Sequence, residues 1–236
     1  PTLQSDWVEL RQLDESVLEQ YLVLLGDPEG QRLTATTQKF TRERVLDWLQ
    51  TRPVAAGRLD WAILNRETEE FLGEVVLNEF DQQRNTMNLR ICLREQQVYS
   101  LGIGSAAIDM VMRHAFDSLR LSKLRLEVLV DNSRAIHVYE KLGFQRGREF
   151  SEGKHRFLRM SADRYDLVRR IAETAIERHL PNLGWTFAFD NARRRAGLCS
   201  YSERRISLSR YLVDIHPLDD SEQVILHEIA HAMLGN

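Results

Sequence analysis

The sequence predicts an α+β fold, in which a mixed, mostly antiparallel sheet is flanked by helices and is followed by a smaller α+β unit. Three alternating segments separated by polar turns predict a β-meander in the first half of the chain. A glycine pair and a long helical pattern follow the last of these segments. A further helical pattern then leads into short strands and a histidine-bearing helix.

The first elements are a strand and two helices. Trp7 to Leu13 alternates as a strand, and Asp14 is a candidate N-cap for the helix that follows. The stretch Gly26 to Gly30 breaks this helix. A second helix starts near Thr41 and ends before Pro53, because the residue before a proline disfavours helical geometry. The positions predicted to be buried are Val17, Leu18, Tyr21, Leu22, Leu24, Leu25, Val45, Trp48 and Leu49.

The meander comes next. Its predicted strands are Trp61–Asn65, Phe71–Phe80 and Thr86–Leu93, and the polar turns Arg66–Glu70 and Asp81–Asn85 separate them.

A glycine-containing turn and a helix between Val98 and Phe116 organise the rest of the chain. Gly102 and Gly104 leave the backbone bare, and the start of the helix presents free N–H groups. Together they form a candidate anion site, although glycines at such a turn are also ordinary turn chemistry. The predicted apolar side of the helix consists of Ile103, Ala106, Ala107, Met110, Val111 and His114 or Ala115.

Three strands and a helix complete the first unit. Lys123–Val130 alternates cleanly as a strand, and Ser133–Leu142 is a helix that ends at Gly143. Phe144 opens the next strand, and Lys154–Met160 is the last one.

The composition and charge of the chain limit the classes of protein to which it can belong. Hydrophobic residues make up 43% and charged residues 28% of 236 residues, and the formal charge is −3, which argues against a dedicated nucleic-acid binder. Two cysteines, no apolar run of transmembrane length and no signal peptide predict a cytoplasmic protein. The chain begins at Pro1 and stops at Asn236 inside a helical pattern, so we expect a fragment of a longer protein.

Two blocks of the chain resemble the GNAT acetyltransferases, in particular their ribosomal-protein N-acetyltransferase branch. The loop Tyr99–Gly104 stands where that family has Q/R-x-x-G-x-G/A, with a tyrosine at the first position and Leu101 where a basic residue is common. The second block matches at Asn132, Ala135, Tyr139, Leu142, Gly143 and Phe144. The resemblance covers roughly residues 7–160.

The resemblance implies that acetyl-CoA binds between two splayed parallel strands, here Thr86–Leu93 and Lys123–Val130. A backbone N–H on the first of these strands would polarise the acetyl carbonyl. The residues carried over as contacts of acetyl-CoA are Cys92, Leu93, Leu101, Gly102, Ile103, Gly104, Ser105, Asn132, Ala135 and Tyr139.

The resemblance also assigns catalytic roles. Tyr139 would protonate the departing CoA sulfur, its alternative being a half-buried helix aromatic. Many relatives carry a glutamate where this chain has Asn88, so Glu79 is the nearest candidate base by sequence, with a solvated carboxylate as its alternative. Cys92 is interpreted as a small apolar strand residue rather than a nucleophile. The acceptor is an amine on a small molecule or a protein.

The second unit begins at a predicted boundary near Ala162, giving a domain of residues 1–162 and another of 163–236. Asp163–Leu180 is a helix, and short strands at Trp185–Phe189 and Ile206–Leu208 precede a helix that starts at Ser221.

The last helix carries the pattern H-E-x-x-H at His227, Glu228 and His231. Four residues advance little more than one turn, so both imidazoles share a face, and the glutamate can activate a metal-bound water. The region from Asp163 onward resembles SprT-like zinc metalloproteases, whose third histidine lies downstream. Because the chain stops five residues after His231, we expect an incomplete domain that holds zinc weakly or with a borrowed ligand and does not cleave peptides. The alternative for the motif is a surface helix with two spaced histidines.

A cluster of arginines precedes this helix, and it favours either a DNA contact or a solvated basic face. Its members are Arg193, Arg194, Arg195, Arg204, Arg205 and Arg210. The leading hypothesis is an acetyl-CoA-dependent N-acetyltransferase with an appended SprT-like domain. The alternatives are a zinc metalloprotease with the GNAT unit as a recognition module, and an acetyl-CoA sensor without turnover. The sequence does not indicate an oligomeric state.

Overall fold

The computed structural model describes residues 1–36, 38–94 and 102–235. The chain divides into two compact units, Pro1–Ala162 and Asp163–Asn236. Among the described residues, no helix has both the length and the apolar character needed to cross a membrane.

The first unit alternates strands and helices. Its strands are β1 (Leu3–Gln4), β2 (Val8–Gln12), β3 (Leu59–Asn65), β4 (Phe71–Asp81), β5 (Thr86–Leu93), β6 (Lys123–Leu129), β7 (Gln145–Glu152) and β8 (His155–Ala162). Its helices are α1 (Leu18–Gly26), α2 (Pro28–Leu33), α3 (Arg42–Thr51), α4 (Ile103–Asp117) and α5 (Ser133–Lys141), with short 3-10 turns at Glu15–Val17 and Arg52–Val54.

The strands of the sheet have the order β1-β2-β3-β4-β5-β6-β8-β7. Adjacent strands are antiparallel, except that β5 and β6 are parallel. This confirms the predicted mixed, mostly antiparallel sheet. The parallel pairing of β5 with β6 extends only from Thr86 to Asn88 on β5 and from Lys123 to Arg125 on β6. Both strands continue beyond that point, so a gap opens between them.

Side chains at the helix starts explain where the first helices begin. Asp14 caps a 3-10 turn by accepting from the Ser16 N–H, and α1 follows at Leu18. Asp27 accepts from the Gly30 N–H at 2.7 Å and begins α2. The sequence predicted only a chain break at this point. Proline suits the first position of a helix, and an aspartate before it satisfies a free N–H.

The sheet is covered on both faces. On one face α1 and α3 bury Leu24, Val45 and Leu49 against Phe71. On the other lies α4, whose His114 ring meets the ring of Trp61 edge to face at 5.9 Å.

The buried stripe of α4 corrects the predicted one. The row Ile103, Ala107, Val111 and Ala115 is buried as expected. The second buried row contains Ile108, Met112 and Phe116 instead of Ala106 and Met110. A helix on a sheet buries a stripe about 100° wide. Here the stripe consists of the row that starts at Ile103 and the adjacent row that contains Ile108, whereas the prediction placed the second row at Ala106 and Met110.

The second unit contains α6 (Arg164–His179), β9 (Thr186–Asp190), β10 (Gly197–Ser200), β11 (Arg205–Ser209), α7 (Arg210–Ile215) and α8 (Leu218–Leu234). Its sheet has the order β10-β11-β9, with β11 parallel to β9 and antiparallel to β10. Asp163 and Asp166 form a reciprocal capping box at the start of α6. The buried Arg164 side chain donates to the Val213 carbonyl at 2.6 Å and also to the carbonyl of His216.

Candidate active site

A groove opens in the first unit where β5 and β6 diverge. We name it the β5–β6 groove. Its volume is about 270 Å³. Its lining comes from α2, β5, the start of α4, β6 and α5.

The structure brings the predicted acetyl-CoA contacts together around this groove. The residues of that set that line it are Cys92, Leu93, Gly102, Ile103, Gly104, Ser105, Asn132, Ala135 and Tyr139. Leu101, together with Tyr99 and Ser100 of the loop, lies outside the described residues. Residues that the sequence did not single out also line the groove, among them Ile91 and Arg134.

Backbone N–H groups of β5 face the gap. The Arg94 N–H donates to the Leu72 carbonyl on β4 at 2.8 Å. Successive N–H groups of a strand point to opposite edges, so those of Leu93 and Ile91 point towards β6. The pairing with β6 has ended at Asn88, so no strand of the described residues pairs with these two donors, and they face the groove.

The start of α4 forms another part of the groove wall. Gly102 precedes the helix with φ +79°, a left-handed conformation that favours glycine. The first turn of the helix carries N–H groups without intrahelical partners, and the helix dipole adds positive potential there. Gly104 follows in that first turn, and a Cβ on it would lie 3.4 Å from Leu93 Cδ1 and 3.8 Å from Ile91 Cδ1. This wall suits an anionic group.

Tyr139 projects from α5 into the groove. The helix is fixed at its start by Asn132, whose side chain accepts from the Ala135 N–H at 3.1 Å. The Tyr139 ring packs edge to face on Phe144 at 5.8 Å. Burial raises the pKa of Tyr139 to about 12, so the hydroxyl keeps its proton. No hydrogen-bond partner for this hydroxyl occurs in the described part of the chain, which leaves it free to donate to a ligand.

A second cavity adjoins the groove beneath α1, α2 and α3. We name it the β4–β5 pocket. Its volume is about 390 Å³. The two cavities share the lining residues Gly30, Thr34, Arg90, Ile91 and Cys92. The sequence did not predict this pocket.

Glu74 is the half-buried carboxylate of the β4–β5 pocket. It lies opposite Cys92 in the β4–β5 ladder, so both side chains share the face covered by α1 and α3. The Tyr21 hydroxyl donates to Glu74 Oε2 at 2.8 Å. Burial raises the pKa of Glu74, while this hydrogen bond and the charge of Arg90 oppose the rise. Such a carboxylate can take up a proton at a higher pH than an exposed one.

Glu79, the base candidate by sequence, lies elsewhere. It is exposed at the irregular end of β4 with φ +53°, and it lines neither cavity. The β4–β5 ladder is irregular between Asn78 and Asp81, and the register contains no partner for Glu79. Asn88, which stands where relatives carry a glutamate, donates to the Asn78 side chain at 3.2 Å.

Cys92 lies where the two cavities meet. Burial raises its pKa to about 12, with the charge of Glu74 as the next cause. A thiol with this pKa stays protonated at neutral pH and is a poor nucleophile, in agreement with its interpretation as a small apolar residue.

In the second unit, the two histidines of the H-E-x-x-H pattern lie on one face of α8, with their Nε2 atoms 3.1 Å apart. Glu228 packs over β10, where a Cβ on Gly197 would lie 2.7 Å from Glu228 Cγ. A catalytic zinc takes three protein ligands and an open position. The described residues contain no group of three or more histidine, cysteine, aspartate or glutamate side chains that could hold a metal ion. They do not fit a catalytic zinc.

The arginine cluster of this unit is largely engaged with neighbouring groups. Arg195 pairs with Asp190 at 2.8 Å, and Arg205 pairs with Glu203. Arg204 donates to the Leu183 carbonyl at 3.1 Å. The Arg210 guanidinium lies over the rings of Tyr165 and Phe189 at 5.1 and 5.2 Å.

Comparison with known families identifies both units. The family model of the acetyltransferase (GNAT) domain matches residues 8–145, more than half of the chain. The chain belongs to the GNAT acetyltransferases. The family model of the SprT-like family matches residues 165–235 of this GNAT acetyltransferase.

Two curated relatives of this GNAT acetyltransferase carry the same activity in their names. An N-acetyltransferase 9-like protein of Caenorhabditis briggsae is 24% identical over 139 residues, 55% of this chain and 70% of that protein. An uncharacterized N-acetyltransferase p20 of Bacillus licheniformis is 24% identical over 166 residues, 66% of this chain and 91% of that protein. With the family match, they identify the protein as an N-acetyltransferase.

Solved structures share the fold of this GNAT acetyltransferase. A spermidine N-acetyltransferase from Vibrio cholerae, in complex with CoA and spermine, has a TM-score of 0.63 and 18% identity, covering 70% of this chain and 99% of its own. A GNAT-family acetyltransferase from Bacillus anthracis has a TM-score of 0.62 and 13% identity. The match covers 69% of this chain and 98% of that protein.

Sequence reasoning missed Glu74 and its partner Tyr21. The sequence contains one indication that Glu74 is unusual, because it is the charged residue within the otherwise apolar strand segment Phe71–Leu77. A carboxylate inside a buried strand is costly unless it has a partner or a function.

Proposed function

We propose that the first unit binds acetyl-CoA in the β5–β6 groove and transfers the acetyl group to a primary amine in the β4–β5 pocket. The observation that carries this proposal is that the two cavities meet at Cys92, beside a tyrosine hydroxyl on one side and a half-buried carboxylate on the other. Residues 1–162 are assigned this activity, and residues 163–236 are assigned to the SprT-like domain.

The groove supplies the binding interactions for acetyl-CoA. The N–H groups of Ile91 and Leu93 pair with the extended pantetheine and polarise the acetyl carbonyl. The start of α4 accepts the pyrophosphate, because its free N–H groups and positive potential suit an anion. Support for acetyl-CoA as the donor comes from the family match and from the solved Vibrio cholerae relative, which was crystallised with CoA.

The proton transfers use two side chains. The amine nitrogen attacks the thioester carbon, the C–S bond breaks, and Tyr139 gives its proton to the departing sulfur. Glu74 takes the proton that the amine loses as the C–N bond forms. Its raised pKa suits this role, because the carboxylate is a stronger base than an exposed one. Tyr139 and Glu74 then recover their protonation states by exchange with solvent.

Release of CoA thiol in the presence of a panel of primary amines tests the proposal. We expect thiol release to depend on both acetyl-CoA and an amine, with one acetyl group appearing on the amine for each thiol. Release that does not depend on an amine would show hydrolysis and contradict the assignment of an amine acceptor.

No metal-dependent step is proposed for the second unit. Its helix α8 carries the H-E-x-x-H residues, but the described residues offer two imidazoles where a catalytic zinc takes three protein ligands.

A further inference from the structure

The charges around the β4–β5 pocket point to a class of acceptor. This inference rests on the proposed function, because it assumes that the pocket holds the amine. The walls of the β4–β5 pocket combine the aromatic rings of Tyr21, Phe40 and Trp48 with charged side chains. The charged side chains are Arg44, Arg58, Glu74 and Arg90.

One of the three arginines is already neutralised. Arg58 donates to both oxygens of the buried Asp60, from Nε at 2.7 Å and from Nη2 at 2.5 Å. A bidentate pair of this kind satisfies both the charge and the geometry of the guanidinium. Arg58 therefore offers little net charge to a ligand.

Arg44 and Arg90 are exposed arginines of the pocket rim, and Arg90 also acts on Glu74 through its charge. Arg44 lies on α3, and Arg90 lies on β5 opposite Val76 of the β4–β5 ladder, so they reach the pocket from different walls. Neither forms an ion pair in the part of the chain that the structure describes. Even with Glu74 ionised, the charges of Arg44, Arg58, Asp60, Glu74 and Arg90 leave a positive excess.

We propose that the acceptor is a primary amine that also carries a carboxylate, and that Arg44 and Arg90 bind this carboxylate. The planar guanidinium matches a carboxylate with two parallel hydrogen bonds. The same positive charges disfavour the ammonium form of the substrate, and the nucleophile must be the neutral amine. A polyamine brings further positive charges into this field and is disfavoured.

The chemistry fits both a free amino acid and a peptide that has acidic residues at its N-terminus. The pocket volume of about 390 Å³ is sufficient for a molecule the size of an amino acid. Both sources share the feature that the proposal specifies, which is an anionic group close to the reacting amine.

Kinetics with matched amines test the proposal on the full chain. The substrates are glutamate, its dimethyl ester, spermidine, and a peptide amide beginning with two aspartates. We expect kcat/KM to be roughly tenfold or more higher for glutamate or the acidic peptide than for the ester or spermidine, as for loss of a charged hydrogen bond. The ratio of glutamate to peptide distinguishes the two sources.

Substitutions of Arg44 and Arg90 test whether these side chains cause the preference for a carboxylate-bearing amine. Arg90→Gln and Arg44→Gln should each lower kcat/KM for the carboxylate-bearing amine by about tenfold to a hundredfold, mainly through KM, and lower it much less for the ester. Arg90→Lys should retain part of the preference. Arg42→Gln is the matched control, because Arg42 lies on the same helix, pairs with Glu19 at 2.6 Å and does not line the pocket.

Three outcomes contradict the proposal. The first is a preference for the ester or spermidine, and the second is an equal loss in Arg42→Gln and Arg90→Gln. The third is turnover of none of these amines by a protein that binds acetyl-CoA, which leaves donor binding intact. Failure to bind acetyl-CoA contradicts the proposed function itself.

Discussion

At the scale of single residues, the environment of Tyr139 suits proton donation. Its hydroxyl is protonated, lines the β5–β6 groove and lacks a hydrogen-bond partner among the described residues, whereas its ring is held by Phe144. A group arranged in this way can donate a proton in the transition state without contributing to binding of the donor.

We therefore expect Tyr139→Phe to lower kcat by roughly 10²-fold or more, because a positioned general acid contributes about this much. The affinity for acetyl-CoA should stay nearly unchanged, since the hydroxyl is used in the transition state. Steady-state kinetics and calorimetric titration check the two values. Unchanged turnover in the folded variant would assign Tyr139 to packing alone.

Glu74 and Glu79 provide a matched pair of carboxylates on one strand. Glu74→Gln should lower kcat by about 10²-fold or more, whereas Glu79→Gln should leave it unchanged, because Glu79 is exposed outside both cavities.

The base is active when ionised, so kcat/KM of the wild type should fall as the pH drops through the raised pKa of Glu74. The pH profile of Glu74→Gln should lack this acidic limb. A loss confined to Glu79→Gln would reverse the assignment.

At the scale of elements, β4 has a bulge at Leu72, next to Gly73. Gly73 has φ +151° and lies opposite Leu93, next to a register shift between Ile63 and Leu64 of β3. A Cβ on Gly73 would lie 2.2 Å from the Cys92 carbonyl oxygen. The absence of a side chain therefore lets β4 approach the part of β5 that lines both cavities.

Gly73→Ala should destabilise the fold by roughly 2–4 kcal/mol, since it adds both overpacking and backbone strain. It should also weaken acetyl-CoA binding, because β5 must shift. The control is Gly26→Ala, where nothing lies within 4 Å of the added Cβ and removal of a glycine from a helix is neutral or mildly stabilising. Denaturant unfolding measures both. Equal stability of Gly73→Ala and the wild type would contradict this account of the bulge.

The elements that alternation marks clearly are the ones the sequence predicted well. β5 was predicted with its observed ends, Thr86–Leu93. β10 was missed because Gly197–Ser200 has no alternating pattern and exists through its pairing with β11. α2 was missed because its six residues depend on an aspartate cap rather than on an apolar stripe.

At the scale of the whole molecule, the sequence predicted residues that line the β5–β6 groove and did not predict the β4–β5 pocket. The β5–β6 groove depends on local features, namely a glycine turn and a helix with its cap at Asn132. The β4–β5 pocket depends on which residues of α1, α2, α3, β4 and β5 face one another. Tyr21 and Glu74 are 53 positions apart in the chain, and no local pattern records their hydrogen bond.

The two units should be chemically independent in one respect. His227→Ala should leave acetyl transfer unchanged, because the residues assigned to that reaction lie in the first unit. Because the described residues contain no group of three or more metal-ligating side chains, the chain should not retain stoichiometric zinc after dialysis against a mild chelator. Metal analysis measures the content. One zinc per chain, lost in His227→Ala, would show a further ligand.

The central claim is that the β5–β6 groove binds acetyl-CoA, and calorimetric titration of the full chain tests it most directly. The wild type should bind acetyl-CoA at one site. Gly104→Val should raise the dissociation constant by roughly tenfold or more, because its methyl groups enter the space beside Leu93 and Ile91. Gly26→Val, in open space, should bind like the wild type. Absence of binding by the wild type, or full affinity in a folded Gly104→Val protein, would contradict the claim.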